Sequence, residues 1–154
     1  MSGKANAAPC NISGVNGSNA QKIFAGTVIC PKTPVTLSNY SEPEPDITAA
    51  VGKIDDYVDH HPWPSEILLI AEVADDSLPL DKGLKLRIYA EAGIAEYWIV
   101  NLINRQLEVY REPSPAGIYA ESRVYLPGES VEPLNAPGKS VAVADLLPPV
   151  KQEL

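Results

Sequence analysis

Residues 67–102 read ILLIAEVADDSLPLDKGLKLRIYAEAGIAEYWIVNL. Ile67 to Val73 is a nearly continuous apolar run, as expected of a strand covered on both faces. Asp75, Asp76 and Ser77 break it. Asp81 to Ala92 then carries helical spacing, with Leu84, Ile88 and Ala92 stepping along one side. Gly93 follows where a helix C-terminus favours glycine, although Gly83 weakens the first turn. Glu96 to Leu102 is a second apolar run of strand length. A buried strand, a helix and a second buried strand place the chain among mixed α/β (α+β) folds.

Working outward, Ile103 to Arg105 forms a turn, and Gln106 to Arg111 alternates apolar and polar residues. That pattern predicts a hairpin whose second strand has a wet face. Tyr119 to Tyr125 pairs on beyond a Pro/Gly loop, and Val141 to Leu147 closes the domain. Upstream, Ser41-Glu42-Pro43-Glu44-Pro45 is extended, because a residue before proline is steered out of the helical region. Asp46 to Val51 reads as a strand opening from it. Val35 to Leu37 reads as a short strand, and Asp55 to Pro64 as a polar loop. Residues 1–30 are rich in Ala, Gly, Ser and Asn, with one apolar cluster at Gln21 to Val28. The first ~20 residues are expected to be loosely attached. The expected organisation is a divergent segment over 1–30, a domain over 31–148 and a tail over 149–154.

A chain of 154 residues is one domain with room for a real core. Hydrophobic residues make up 45% of it, which excludes wholesale disorder. No apolar run approaches the ~18 residues of a membrane span. Acids outnumber bases 20 to 12, for a formal charge of -8. That balance argues against holding nucleic acid by a basic surface, but it is compatible with a contact made through a metal ion. The acids are concentrated: eleven lie between Glu42 and Asp81, against the single base Lys53. Cys10 and Cys30 have no metal-ligand company, so reduced thiols in a cytoplasmic protein are expected.

Glu72 stands inside the apolar run. An ionised carboxylate there costs several kcal/mol unless a cation or a lysine compensates it; the bland alternative is that it points to solvent. Asp46 begins the preceding strand. If the two strands are neighbours, their carboxylates converge on one hard cation, and oxygen ligands completed by water suit Mg²⁺. Lys85 lies four residues after Asp81, so both can share one helix face. A lysine beside the cation stabilises the nucleophile or the charge growing on a phosphate.

SEPEPDI, HPWPSEILLIAEVADDSL and D-x-x-x-KLRIYAEAGIAEYWIVNL together resemble the Uma2 family. The likeness runs from about Val35 to Leu147 and includes the Gln106 to Arg111 hairpin and the closing Val-Ala-Asp-Leu-Leu. It implies a restriction-endonuclease-like mixed sheet flanked by helices, of the PD-(D/E)xK superfamily. It also implies Mg²⁺-dependent cleavage of DNA (Mn²⁺ as the substitute ion). The family's motif residues fall on Asp46 and Glu72 as metal ligands. The superfamily's lysine two places after the glutamate is Ala74 here; the family's helix lysine falls on Lys85, with Asp81 as its partner. Residues 1–30 lack the family's usual opening helix and Glu-x-x-Asp-Gly strand, so the N-terminal part reads as incomplete. The competing reading is therefore an inactive remnant that only dimerises or binds a partner. A homodimer is expected, and no membrane partner.

Among other residues, His60-His61 reads as polar loop rather than chelate, since adjacent strand residues face opposite ways. Trp63 reads as a loop anchor packed on the sheet, and Trp98 as core. Asp55, Asp56, Asp75 and Asp76 read as solvated acids. Asn101 stands where an Asp is common in the family, a change expected to affect only a turn. Lys82 and Arg87 either face a phosphate backbone or solvate the helix.

Overall fold

The computed structural model describes residues 27–38 and 40–150. Six strands form one sheet in chain order: β1 (Thr27–Pro31), β2 (Ile47–Val51), β3 (Ile67–Ala74), β4 (Glu96–Asn101), β5 (Gln106–Pro113) and β6 (Tyr119–Tyr125). Neighbours run antiparallel except β3 and β4, which are parallel. That one parallel pair needs a crossover, and a helical stretch over 78–91 supplies it. A two-stranded ribbon, β7 (Ser130–Val131) with β8 (Val141–Ala142), and a 3-10 turn at Val143–Leu146 follow.

The sheet buries both faces. On one, Leu69, Ala71, Trp98, Val100, Leu107 and Val109 pack with Val131, Val141, Val143 and Leu147 of the closing segment. On the other, Ile70, Ala74, Tyr97 and Ile99 pack against Tyr89, Ala90 and Ile94. Two-sided burial explains why β3 and β4 read as continuous apolar runs rather than alternating ones. Truncating a core residue such as Ile70 to Ala costs about 2–5 kcal/mol.

The helical stretch differs from the sequence reading in phase. It opens as α1 (Leu78–Leu80), passes through a π-helical turn at Asp81–Lys85 and continues as α2 (Leu86–Glu91). The wider turn re-aims the side chains: Leu84 is 58% exposed, whereas Asp81, Tyr89 and Ala90 are buried. Apolar spacing at 3.6 residues per turn could not anticipate that shift. π turns of this kind gather at functional sites. Gly93 ends the stretch at φ +78, where Ile94 N–H donates to the Tyr89 carbonyl and Gly93 N–H to that of Ala90, each at 3.0 Å. These are the two bonds of a Schellman cap, and the left-handed position favours glycine.

Three smaller expectations are corrected. Residues 35–37 form no strand; Thr36 N–H and Leu37 N–H are taken by the carbonyls of Pro62 and Ser41. Thr27–Pro31 is a strand without having shown a period, because five residues are too few to display one. Cys30 is buried and disulfide-bonded rather than a reduced thiol; whether two sulfurs meet depends on Cα separation, which spacing along the chain does not give. The expected loose attachment of the first residues lies outside the described residues.

Candidate active site

Antiparallel pairing of β2 with β3 sets Ile47 opposite Ala71. The next residue back, Asp46, therefore arrives beside Glu72. Its backbone N–H donates to Glu72 Oε1 at 2.8 Å. Its own carboxylate Oδ2 accepts the Val73 N–H at 2.7 Å, where the β2 ladder has run out. The extended Glu44-Pro45 approach fixes this entry.

Glu72 is 1% exposed and faces the helix. Lys85 Nζ donates to its Oε2 at 2.7 Å, and Tyr89 OH to the same oxygen at 3.2 Å. The bland alternative of a solvent-facing Glu72 is thus excluded. Lys85 Nζ also lies 3.2 Å from Asp81 Oδ1. The angle there falls short of a hydrogen bond, so that buried oxygen has no hydrogen-bond donor. Asp81 is held by Ser77 Oγ, which donates to Oδ2 at 2.7 Å, and its carbonyl accepts Tyr97 OH at 2.9 Å.

Burial pushes the Glu72 carboxyl up from the usual carboxylate range, and the nearby Asp46 charge adds to this; donation by Lys85 and by Asp46 N–H pulls the other way. Burial alone would lower Lys85, but its contacts with Glu72 and Asp81 raise it above the ordinary lysine value. The lysine therefore stays protonated across the physiological range. Tyr89 and Tyr97 are pushed far up, chiefly by burial and then by the Glu72 charge, so both remain donors.

A second polar cluster lies beside the first. Glu72 pairs with Ile99 on β4, and Ile99 with Glu108 on β5, so the two glutamates flank Ile99 in one row. Glu108 is 3% exposed. Its oxygens accept Asn101 Nδ2 at 2.8 Å, Gln106 Nε2 at 3.3 Å and Tyr110 OH at 2.7 Å, with Lys82 Nζ at 3.1 Å. The π turn thus sends Lys82 and Lys85 to two buried carboxylates on different strands. Lys82 is about half exposed and pairs with Glu108, while Arg87 pairs with Glu91 along the helix. Asn101 does more than shape a turn: its Oδ1 accepts Asn104 N–H, and its amide holds Glu108.

The remaining candidates fall outside the site. His60 contacts Asp59 and Glu66, and its ring lies tilted against those of Tyr57 and Trp63. Trp63 is 52% exposed, so it packs on His60 rather than on the sheet. Asp56 caps its own turn through Lys53 N–H. Trp98 is core, its Nε1 donating to the fully buried Glu96 on the opposite sheet face. Among the described residues, no three His, Cys, Asp or Glu side chains are placed to hold a metal ion together.

The family model described as "Uma2: Putative restriction endonuclease" matches residues 18–144. The chain belongs to the Uma2 family. The match covers most of the chain and begins ahead of Val35. The six-stranded mixed sheet with its one helical crossover is the restriction-endonuclease-like arrangement expected of Uma2 proteins. No curated protein matches the chain. Among the described residues, no helix is long and apolar enough to cross a membrane.

The donor set suits a small hard cation in its usual mode. Mg²⁺ commonly takes one or two carboxylates and leaves the rest of its shell to water and substrate phosphate. Asp46 Oδ1 accepts no hydrogen bond among the described residues, and Asp46 is only partly buried. Glu72 Oε1 accepts one bond, and a carboxylate oxygen has two lone pairs. Tyr89 and Ser77 were missed by sequence reasoning. Tyr89 lies one helical turn after Lys85, the spacing that could have pointed to it.

Proposed function

We propose that this Uma2 protein is a divalent-cation-dependent endonuclease, hydrolysing DNA phosphodiesters at the site of Asp46, Glu72 and Lys85. The observation that carries this reading is the meeting of a charged lysine with a buried glutamate beside a half-open aspartate. Asp46 and Glu72 would hold Mg²⁺, which supplies phosphate charge neutralisation and activation of the attacking water. Lys85 stabilises negative charge as it grows on the phosphate. Asp81 holds Lys85 from one helical turn earlier, and Ser77 fixes Asp81. Tyr89 keeps the Glu72 carboxylate in one orientation. The chain's negative charge predicts weak DNA binding that depends on the cation.

One observation favours a second reading, an inactive module. Both Glu72 oxygens already accept from protein donors, so the network can serve purely to tie β2, β3 and the helix together. Two measurements separate the readings. Wild type should nick supercoiled plasmid with Mg²⁺, while Glu72→Gln and Lys85→Met should not. Calorimetric titration with Mn²⁺ should show binding that Asp46→Asn weakens. No nicking by folded wild type, or no cation binding, favours the module; equal nicking by all three proteins would overturn the assignment of cleavage to Glu72 and Lys85.

A further inference from the structure

Among the described residues, β6 ends the sheet, with β5 as its one neighbour. Ala120, Glu121, Ser122, Arg123 and Val124 are all exposed. Such an edge offers a row of unpaired backbone donors and acceptors, and proteins usually guard it with proline, lysine or a bulge. The other edge strand, β1, ends at Pro31, followed by Lys32 in the left-handed region at φ 43. β6 contains neither proline nor lysine, and from Glu121 to Tyr125 it pairs with β5 without a break, the one irregularity lying beyond, at Glu112 (φ 60), where no pair with Ala120 forms.

The sequence of this edge is complementary to itself. Folded about Ser122, residues 118–126 (IYAESRVYL) set Ile118 against Leu126, Tyr119 against Tyr125, Ala120 against Val124 and Glu121 against Arg123. Ile118 with Leu126 and Ala120 with Val124 are alike in character, and Glu121 with Arg123 is opposite in charge; Tyr119 and Tyr125 are already buried, in the cores on opposite faces of the sheet, and take no part. Directly opposed partners of these kinds stabilise an antiparallel pair, and like charges there destabilise it. Ile118, Val124 and Leu126 are 62%, 47% and 52% exposed, so the apolar members await cover. Glu121 makes no hydrogen bond or ion pair among the described residues. Arg123 lies over the Tyr125 ring and reaches Glu129 only at 3.9 Å.

We propose that two copies of the chain pair antiparallel along β6, about a two-fold axis through Ser122, joining their sheets edge to edge. Each Glu121 then faces the partner copy's arginine at position 123. The axis makes the contact self-complementary and closed, as a two-fold interface must be. A contact of one strand per copy falls below the usual 1,200–2,000 Å² of stable complexes, so dissociation in the micromolar range, about 1–100 µM, is expected. The pairing uses none of Asp46, Glu72 and Lys85, so its test is separate from that of the cleavage reading.

The test is sedimentation velocity of the full chain between about 1 and 300 µM, where contacts this small dissociate. Wild type should pass from monomer to dimer. Arg123→Glu and Glu121→Arg should each stay monomeric, weakening association at least about 10-fold through opposed like charges. The double charge swap Glu121→Arg/Arg123→Glu should restore the dimer. A monomeric wild type overturns the proposal, as do single variants that dimerise normally or a folded double variant that stays monomeric. Ser122→Cys is the check that needs no charge change. Its two copies sit across the axis within disulfide reach, so mild oxidation should cross-link them in excess of wild type; no excess overturns the pairing.

Discussion

Lys85 Nζ lies 2.7 Å from Glu72 Oε2 although the two residues are thirteen apart and on different elements. Two places after Glu72 the strand itself carries only the fully buried Ala74. The pair forms from the helix because its π turn aims Lys85 down at the sheet, and Asp81 braces it from one turn earlier.

Removing one member of that pair should therefore destabilise the fold. Lys85→Met leaves the Glu72 carboxylate buried without its cation. Loss of one partner of a buried pair costs about 3–5 kcal/mol, and partial exposure of Lys85 should hold this to about 2–3. Pairing it with Glu72→Gln should recover part of the loss. Urea unfolding of the two single variants and the double variant gives the coupling energy.

Glu108 predicts a pH effect. Burial would raise its carboxyl, but donation by Asn101, Tyr110, Lys82 and Gln106 outweighs this and holds it below the usual range. A lowered carboxylate contributes stability that is present above the unfolded value and lost as pH falls through the folded one. Wild type should exceed Glu108→Gln in stability at neutral pH. The difference should shrink as pH drops below about 4.3. Thermal unfolding across pH 2–7 checks it (a range set by ordinary carboxylate titration); a constant difference would count against the ionised pair.

On the opposite face, Glu96 is fully buried and accepts Arg111 Nη2 at 2.7 Å, Trp98 Nε1 at 2.9 Å and Leu134 N–H at 2.9 Å. Arg111 also donates to the Glu132 carbonyl at 2.7 Å. The pair ties the closing segment to the sheet and stands away from the candidate site. Arg111→Met should cost about 3–5 kcal/mol and leave cleavage per folded molecule unchanged. Unfolding midpoints and nicking assays below the midpoint would show both.

Gly93→Ala isolates backbone strain. The added Cβ meets nothing within 4 Å, but φ is +78. The expected loss is about 1 kcal/mol, all of it conformational. A neutral substitution would mean that the cap relaxes freely.

Much of this was legible beforehand. The apolar runs at 67–73 and 96–102 gave the central strands because burial on both faces leaves an unbroken pattern. Motif order picks out Asp46, Glu72 and Lys85, and Glu72 contacts each of the other two. The helix phase is not legible, since a π turn has no apolar signature, and so apolar spacing places Leu84 on the wrong side. The Lys82–Glu108 cluster was hidden for a related reason: it joins a helix to a strand two places along the sheet, and no spacing along the chain encodes that. Trp63 misled because flanking prolines signal a loop but not what the ring packs on.

The most direct test is single-turnover cleavage of a DNA duplex by wild type, Glu72→Gln and Lys85→Met, with and without Mg²⁺. Wild type should cut only with the cation, and each variant should be slower by about 100-fold or more, the usual loss when a charge-stabilising group is removed. Cleavage by folded Lys85→Met at the wild-type rate, or wild-type cutting that persists in chelator, would contradict the account.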